Sequence, residues 1–199
     1  MFYKKHSKER ALVAGDASAE AVATLLFMAL HDEFRFGQVR LEQIVKIWNE
    51  LPDNTAYCES QISRSGYNRG RMEREFIKKM MKIIAAAQID KKALRDYIHD
   101  CMLGSVIILL YILCQDFGFT TDDVHRLEKR IYNYADIMLD PDTYGVTIWR
   151  FMACIRYELN IRCEILKEFE KEYGRIDLGP KWGVNLITGK PRKKNEAIA

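Results

Sequence analysis

The chain has 199 residues, of which 48% are hydrophobic and 30% charged, and it carries a net charge of +3. That suits one globular domain burying about 70% of its unfolded surface. It excludes a wholly disordered chain, a collagen-like repeat and a disulfide-dense scaffold. The charge is uneven. Met1–Arg10 carries +3, Arg64–Lys82 carries +5 and Lys181–Ala199 carries +4, which leaves −9 on the rest. Basic segments of this kind suit phosphates or an acidic protein surface. The five cysteines form no C-x-x-C pair and no zinc spacing, and they read as reduced core residues of a cytosolic protein.

Residues 1–15 read as a loose basic arm. A first helix is expected over Ser18–Phe34, capped by Ser18 and favoured by Glu20 in its first turn. Gly37 ends that segment. A second helix is expected over Gln38–Leu51, with Leu41, Ile44, Val45 and Trp48 on one face and Pro52 as its stop. Asn54–Gly70 reads as a long polar loop, and a third helix follows over Arg71–Ala87. Asp90 can cap a long helix reaching Asp116, with Gly104 a point where it could split. Its run Met102–Cys114 is free of charge but has only 13 residues. A membrane span needs about 20, so the run reads as a buried core helix. Thr120 and Asp123 predict a capping box for a helix ending near Met138. A turn around Pro141 precedes one long helix over Thr147–Tyr173. Its stripe of Ile148, Met152, Ile155, Leu159, Cys163, Leu166, Phe169 and Tyr173 suits either core or a homodimer seam. From Gly174 to Ala199 the chain becomes a Gly- and Pro-containing basic tail.

Two segments look alike, Leu25–Trp48 and Ile108–Tyr134. Leu25, Leu26, Leu30, Glu33, Phe34 and Phe36 align with Ile108, Leu109, Leu113, Asp116, Phe117 and Phe119. Further on, Arg40–Glu42 aligns with Arg126–Glu128, Val45 with Ile131 and Trp48 with Tyr134. Each unit is an apolar helix, an acid-Phe-x-Phe corner and an amphipathic helix. A lone hairpin of this type cannot bury its own apolar face, whereas two packed together can. The expectation is an all-α single domain of six or seven helices over 16–173, built around duplicated hairpins near 18–51 and 104–138, with the basic loop and helix 54–87 between them.

The pattern L-H-D-E-F-x-F-G-x-x-R-L at Leu30–Leu41 resembles small uncharacterised helical proteins of Firmicutes phages and prophages. In that group a short helix opening Tyr-x-Thr-hydrophobic often follows, and Tyr144–Arg150 is similar. The two copies differ at the corner, with Arg35 between the aromatics of the first and Gly118 between those of the second. The resemblance covers about 21–51 and 104–159. It implies a phage or prophage accessory protein in the host bacterial cytoplasm, and no mechanism. Such proteins often block host machinery, and inhibition of a defence system such as a CRISPR nuclease is one such role.

No catalytic set stands out. His31, Asp32 and Glu33 are adjacent and so point to different helix faces. His99 and His125 have no acidic or His partner four residues on, and Cys58 reads as an incidental loop cysteine. Gly66 and Gly70 lack the lysine and preceding strand of a phosphate loop. No metal or cofactor is expected. The best positive signal is basic. Arg71, Arg74, Lys78 and Lys82 are spaced to form a stripe on the third helix, Arg64 and Arg69 extend it, and Tyr67 is placed to stack on a base. The tail offers Trp182 as an anchor with Lys190, Arg192, Lys193 and Lys194 for charge. The expected role is therefore non-enzymatic binding of a host or phage protein. The alternative is nucleic-acid binding in phage replication or packaging, on the same stripe.

Overall fold

In a computed structural model the structure describes residues 2–52, 54–87 and 94–178, with side chains from residue 12 onward. The first helix, α1 (Phe2–Phe34), is longer than expected. It takes in the segment read as a loose arm, and Ser18 is no cap. Ser18 is buried mid-helix, where its hydroxyl donates to the Gly15 carbonyl at 2.7 Å. The segment lacks proline and is rich in alanine, the best helix former, so nothing local stops the helix at residue 17. Gly15 is a close contact rather than a break, since a Cβ there would lie 2.7 Å from Tyr97 Cε1.

Helix α2 (Gln38–Glu50) buries Leu41 and Ile44, and Leu51 turns extended before Pro52, as the residue before a proline must. The expected polar loop over 54–70 contains a helix, α3 (Thr55–Ile62), because Asn54 caps the Tyr57 amide at 3.0 Å and Cys58 and Ile62 give it one buried face. Next comes a single continuous helix in three parts: α4 (Arg69–Met72), a π-helical turn (Glu73–Ile77) and α5 (Lys78–Ala86). Asn68 caps it by accepting from the Arg71 amide at 2.8 Å. The wide turn lets consecutive Phe76 and Ile77 both reach the core.

Asp90, the expected cap of the next helix, lies outside the described residues. Helix α6 (Arg95–Asp116) runs unsplit through Gly104, whose open face meets Thr55 of α3. It lies at the centre, packed by α1, α2 and α3. Two stretches, Leu12–Phe34 and Arg95–Asp116, are long and apolar enough to cross a membrane by length and composition. Here they pack on each other and form much of the core. Helix α7 (Thr121–Leu139) opens with the expected Thr120–Asp123 capping box. The turn at Pro141 is a single helical turn, α8 (Pro141–Tyr144), capped by Asp140.

The expected long last helix is two helices, α9 (Ile148–Glu158) and α10 (Glu164–Tyr173). Asn160 takes a left-handed conformation (φ +53°) and breaks the run. Asparagine tolerates that region better than most residues. The break lets Leu159, Ile161 and Cys163 all turn inward and lays Phe169 flat on Trp149, with ring centroids 4.0 Å apart. The stripe read as a dimer seam therefore closes on its own core, except for Tyr173, which is exposed.

The two acid-Phe-x-Phe corners share one backbone solution. Arg35 (φ +59°) and Gly118 (φ +67°) are left-handed, and the next amide reaches back to Leu30 O at 3.2 Å or to Leu113 O at 3.0 Å. This occupies a carbonyl that the helix end leaves without a partner. The aromatics pair crosswise. Phe34 meets Phe119 at 4.7 Å and Phe36 meets Phe117 at 5.3 Å. Likewise α7 packs on α1 while α2 packs on α6. Asn160 closes α9 by the same bond pattern, through Ile161 N to Ile155 O, in an unrelated sequence. The corner is thus a general way of ending a helix, and it does not establish common descent of the two hairpins.

Candidate functional site

The basic stripe sits on α4, the π turn and α5, and α7 lies beneath it. The structure divides the expected residues into two groups. Arg64, Arg74, Lys78 and Lys82 are exposed, and none has an acidic partner among the described residues. Arg74, Lys78 and Lys82 follow one edge of the helix over about 12 Å. They make an electrostatic ridge able to hold carboxylates or phosphates.

The other group is already occupied. Arg69 pairs with Glu59 at 3.1 Å and with Glu73 at 3.0 Å. Arg71 turns inward, pairs with Glu128 of α7 and donates to the Gly66 carbonyl at 3.3 Å. Tyr67 is buried, so it presents no ring face for a base, contrary to the sequence reading. Burial of its hydroxyl, chiefly, pushes its pKa up. Gly66 holds this turn close to α7. Its φ is +81°, and a Cβ would meet Thr121 Cγ2 at 2.7 Å and His125 Nε2 at 2.8 Å. It serves packing and forms no phosphate loop.

Glu128 is the residue the sequence reading missed in this region. Its side chain is only 3% exposed, whereas Arg71 is 38% exposed. Burial raises the Glu128 pKa, and the Arg71 charge opposes that rise. Four buried polar atoms without hydrogen-bond partners belong to this cluster of side chains: Tyr67 Oη, Arg71 Nε, Glu128 Oε1 and Tyr132 Oη. Burial pushes the Tyr132 hydroxyl up to about 12. A shallow cavity of about 230 Å³ beside them is lined by Arg71, His125, Glu128, Lys129, Tyr132 and Asn133. One signal in the sequence could have found Glu128: it lies among the core positions Val124, Leu127, Ile131 and Ala135 of an amphipathic helix. The matching Glu42 of the first hairpin is exposed and accepts from Gln38 Nε2 at 2.8 Å.

Other sequence candidates have structural roles. His31 Nδ1 donates to the Phe36 carbonyl at 2.9 Å and ties down the first corner. Glu33 accepts from Arg126 at 2.9 Å and from Arg130 at 2.7 Å, and those hydrogen bonds hold its carboxyl below the usual range. Cys58 is buried in α3, which pushes its thiol pKa up. A buried thiol with a raised pKa is a poor nucleophile. Among the described residues no group of three or more His, Cys, Asp or Glu side chains could hold a metal ion. Trp182, Lys190, Arg192, Lys193 and Lys194 lie outside the described residues.

A second, larger concavity of about 380 Å³ lies between α1, α2 and the α9–α10 break. Phe27, Val45, Trp48 and Ile161 give it an apolar floor, and Asp16, Glu20, Arg162 and Glu164 are its charged groups. Glu20 Oε2 accepts from the Ile165 amide at 3.1 Å, so α1 caps α10 across the groove. Its other oxygen is buried without a partner. Arg162 is held by Glu164. No family model, curated protein or solved structure matches this chain.

Proposed function

We propose that this protein acts by binding, and that the α4–α5 ridge docks on an acidic surface of a protein partner. The observation that carries the reading is Arg74, Lys78 and Lys82 along one edge of the helix, with Arg64 exposed in the turn after α3: four exposed cations, in a segment where Arg69 and Arg71 are already neutralised within the fold. A helix that pairs Arg69, Arg71 and Lys79 internally and leaves Arg74, Lys78 and Lys82 without an acidic partner among the described residues has charge to offer a partner. The buried state of Tyr67 removes the stacking ring that favoured single-stranded nucleic acid, so the protein partner is the better reading. The likeness of Leu30–Leu41 to phage and prophage proteins supports a partner in a bacterial host, with a defence nuclease as one candidate.

The test compares the native chain with Arg64→Ala/Arg74→Ala/Lys78→Ala/Lys82→Ala. Both are used as bait in a bacterial lysate, with and without nuclease treatment, at low and at moderate salt. The expected result is a defined protein captured by the native chain, lost in the variant and weakened by salt. Equal capture by both baits would sink the reading. Capture that disappears on nuclease treatment, together with salt-sensitive binding of purified oligonucleotides, would replace it with nucleic-acid binding.

A further inference from the structure

The cavity between the first turns of the basic helix and α7 has unused hydrogen-bonding capacity. Its volume is about 230 Å³, and Arg71, His125, Glu128, Lys129, Tyr132 and Asn133 line it. Glu128 contributes a side chain only 3% exposed whose Oε1 is unpartnered, and Arg71 contributes an unpartnered Nε. Buried polar atoms are almost always paired, so atoms left over beside a cavity point to something that fills it. The wall is held in place. Phe76, brought inward by the π-helical turn, packs on Tyr132 with ring centroids 6.5 Å apart. Single π turns inside α-helices recur at functional sites.

The lining side chains define what fits. Arg71 neutralises the Glu128 carboxylate, so the charge left over is that of Lys129, which is exposed and has no acidic partner among the described residues. The fitting occupant is therefore anionic. His125 and Asn133 add ring and amide donors, which suits an oxyanion with several lone pairs. Glu128 Oε1 needs the opposite, a donor, and a hydroxyl supplies one without a cation that would cancel the anion. Size sets the rest. The cavity is below the roughly 300–1,000 Å³ of drug-sized sites, so it suits a small molecule. We propose that this cavity binds a small phosphate monoester that carries hydroxyl groups, with the phosphoryl group at Lys129, His125 and Asn133 and a hydroxyl donating to Glu128. A sugar phosphate and the sugar-phosphate end of a nucleotide share this chemistry. Arg64, Arg74, Lys78 and Lys82 do not line the cavity, so the site is separate from the ridge.

The test titrates the full-length chain with ribose 5-phosphate, inorganic phosphate, ribose and adenosine 5′-monophosphate. NMR reads the His125 ring and the Lys129 and Asn133 amides. Ribose 5-phosphate is expected to give saturable shifts there, with an affinity about tenfold above that of inorganic phosphate, because it adds a hydrogen bond to a carboxylate. Ribose alone is expected to give none. Lys129→Ala, at an exposed position, should weaken ribose 5-phosphate by about tenfold, as loss of a charged donor to phosphate does. The quadruple alanine variant of the ridge should leave its affinity unchanged. Tighter binding of adenosine 5′-monophosphate would support the same site and identify a nucleotide as the source of the ester. No saturable shift from either ester would overturn the proposal. So would shifts that survive Lys129→Ala and vanish in the quadruple variant, because the ridge would then be the anion site. Equal affinities for inorganic phosphate and ribose 5-phosphate would refute the hydroxyl contact to Glu128, and with it the assignment to a hydroxylated ester.

Discussion

Arg71→Ala tests the division of the basic stripe most directly. Arg71 is the partner of a carboxylate with a 3% exposed side chain, whose Oε1 already lacks a hydrogen bond. Removing the guanidinium leaves a buried charge, and breaking one side of a buried pair costs about 3–5 kcal/mol. Protonation sets a ceiling on that cost. Keeping a glutamate protonated at pH 7, against an unfolded pKa of about 4.3, takes roughly 3.7 kcal/mol. At pH 5 the same ceiling falls to about 1 kcal/mol. Urea unfolding of Arg71→Ala should therefore show a loss of about 3–4 kcal/mol at pH 7 and much less at pH 5. The sign agrees with the native chain. Burial raises the Glu128 pKa, so its contribution to stability is most favourable below the unfolded value and declines as pH rises through the folded one. Arg74→Ala, on the exposed ridge, should stay within about 0.5 kcal/mol of native at both pH values. Adding Glu128→Gln to Arg71→Ala should recover much of the loss at pH 7. A loss below about 1 kcal/mol at pH 7, or an equal loss at both pH values, would refute the buried-pair reasoning.

At the two helix corners, Arg35→Gly should stabilise the fold by up to about 1 kcal/mol, because it relieves a left-handed arginine. Gly118→Ala should destabilise by about 1–2 kcal/mol from backbone strain, since nothing lies within 4 Å of the added Cβ. Thermal unfolding of the two variants checks the opposite signs. Thr120→Ala should cost about 0.5–2 kcal/mol in urea unfolding by removing the side chain that caps the Asp123 amide. Glu33 is held below the usual carboxylate range by hydrogen bonds from Arg130 and Arg126. Its contribution is present above the unfolded pKa and lost as pH falls through the folded one. Acid unfolding of Glu33→Gln should therefore show a flatter low-pH limb, and a limb as steep as native would count against the pairing.

What the sequence determined by itself is mostly local. Periodic apolar residues placed α2 and α7, Pro52 ended α2, and the Thr120–Asp123 pair began α7 within a residue of its observed start. Each of these depends on neighbours within a turn or two, and those are visible in order along the chain. What only the tertiary structure decided depends on partners far away in sequence. Ser18 carried a cap signature, but the face of α1 that holds Ala14, Ala17 and Ser18 is buried, and the Ser18 hydroxyl turns back to the Gly15 carbonyl instead of capping a helix start. The stripe from Ile148 to Tyr173 has unbroken helical periodicity, yet the chain breaks at Asn160 and turns Leu159, Ile161 and Cys163 into its own core. Arg71 and Arg74 are indistinguishable as members of a basic stripe. They are separated by Glu128, 57 residues further on, which draws one inward and leaves the other in water. Charge is written residue by residue, but whether it is available to a partner is set by what the fold brings alongside it.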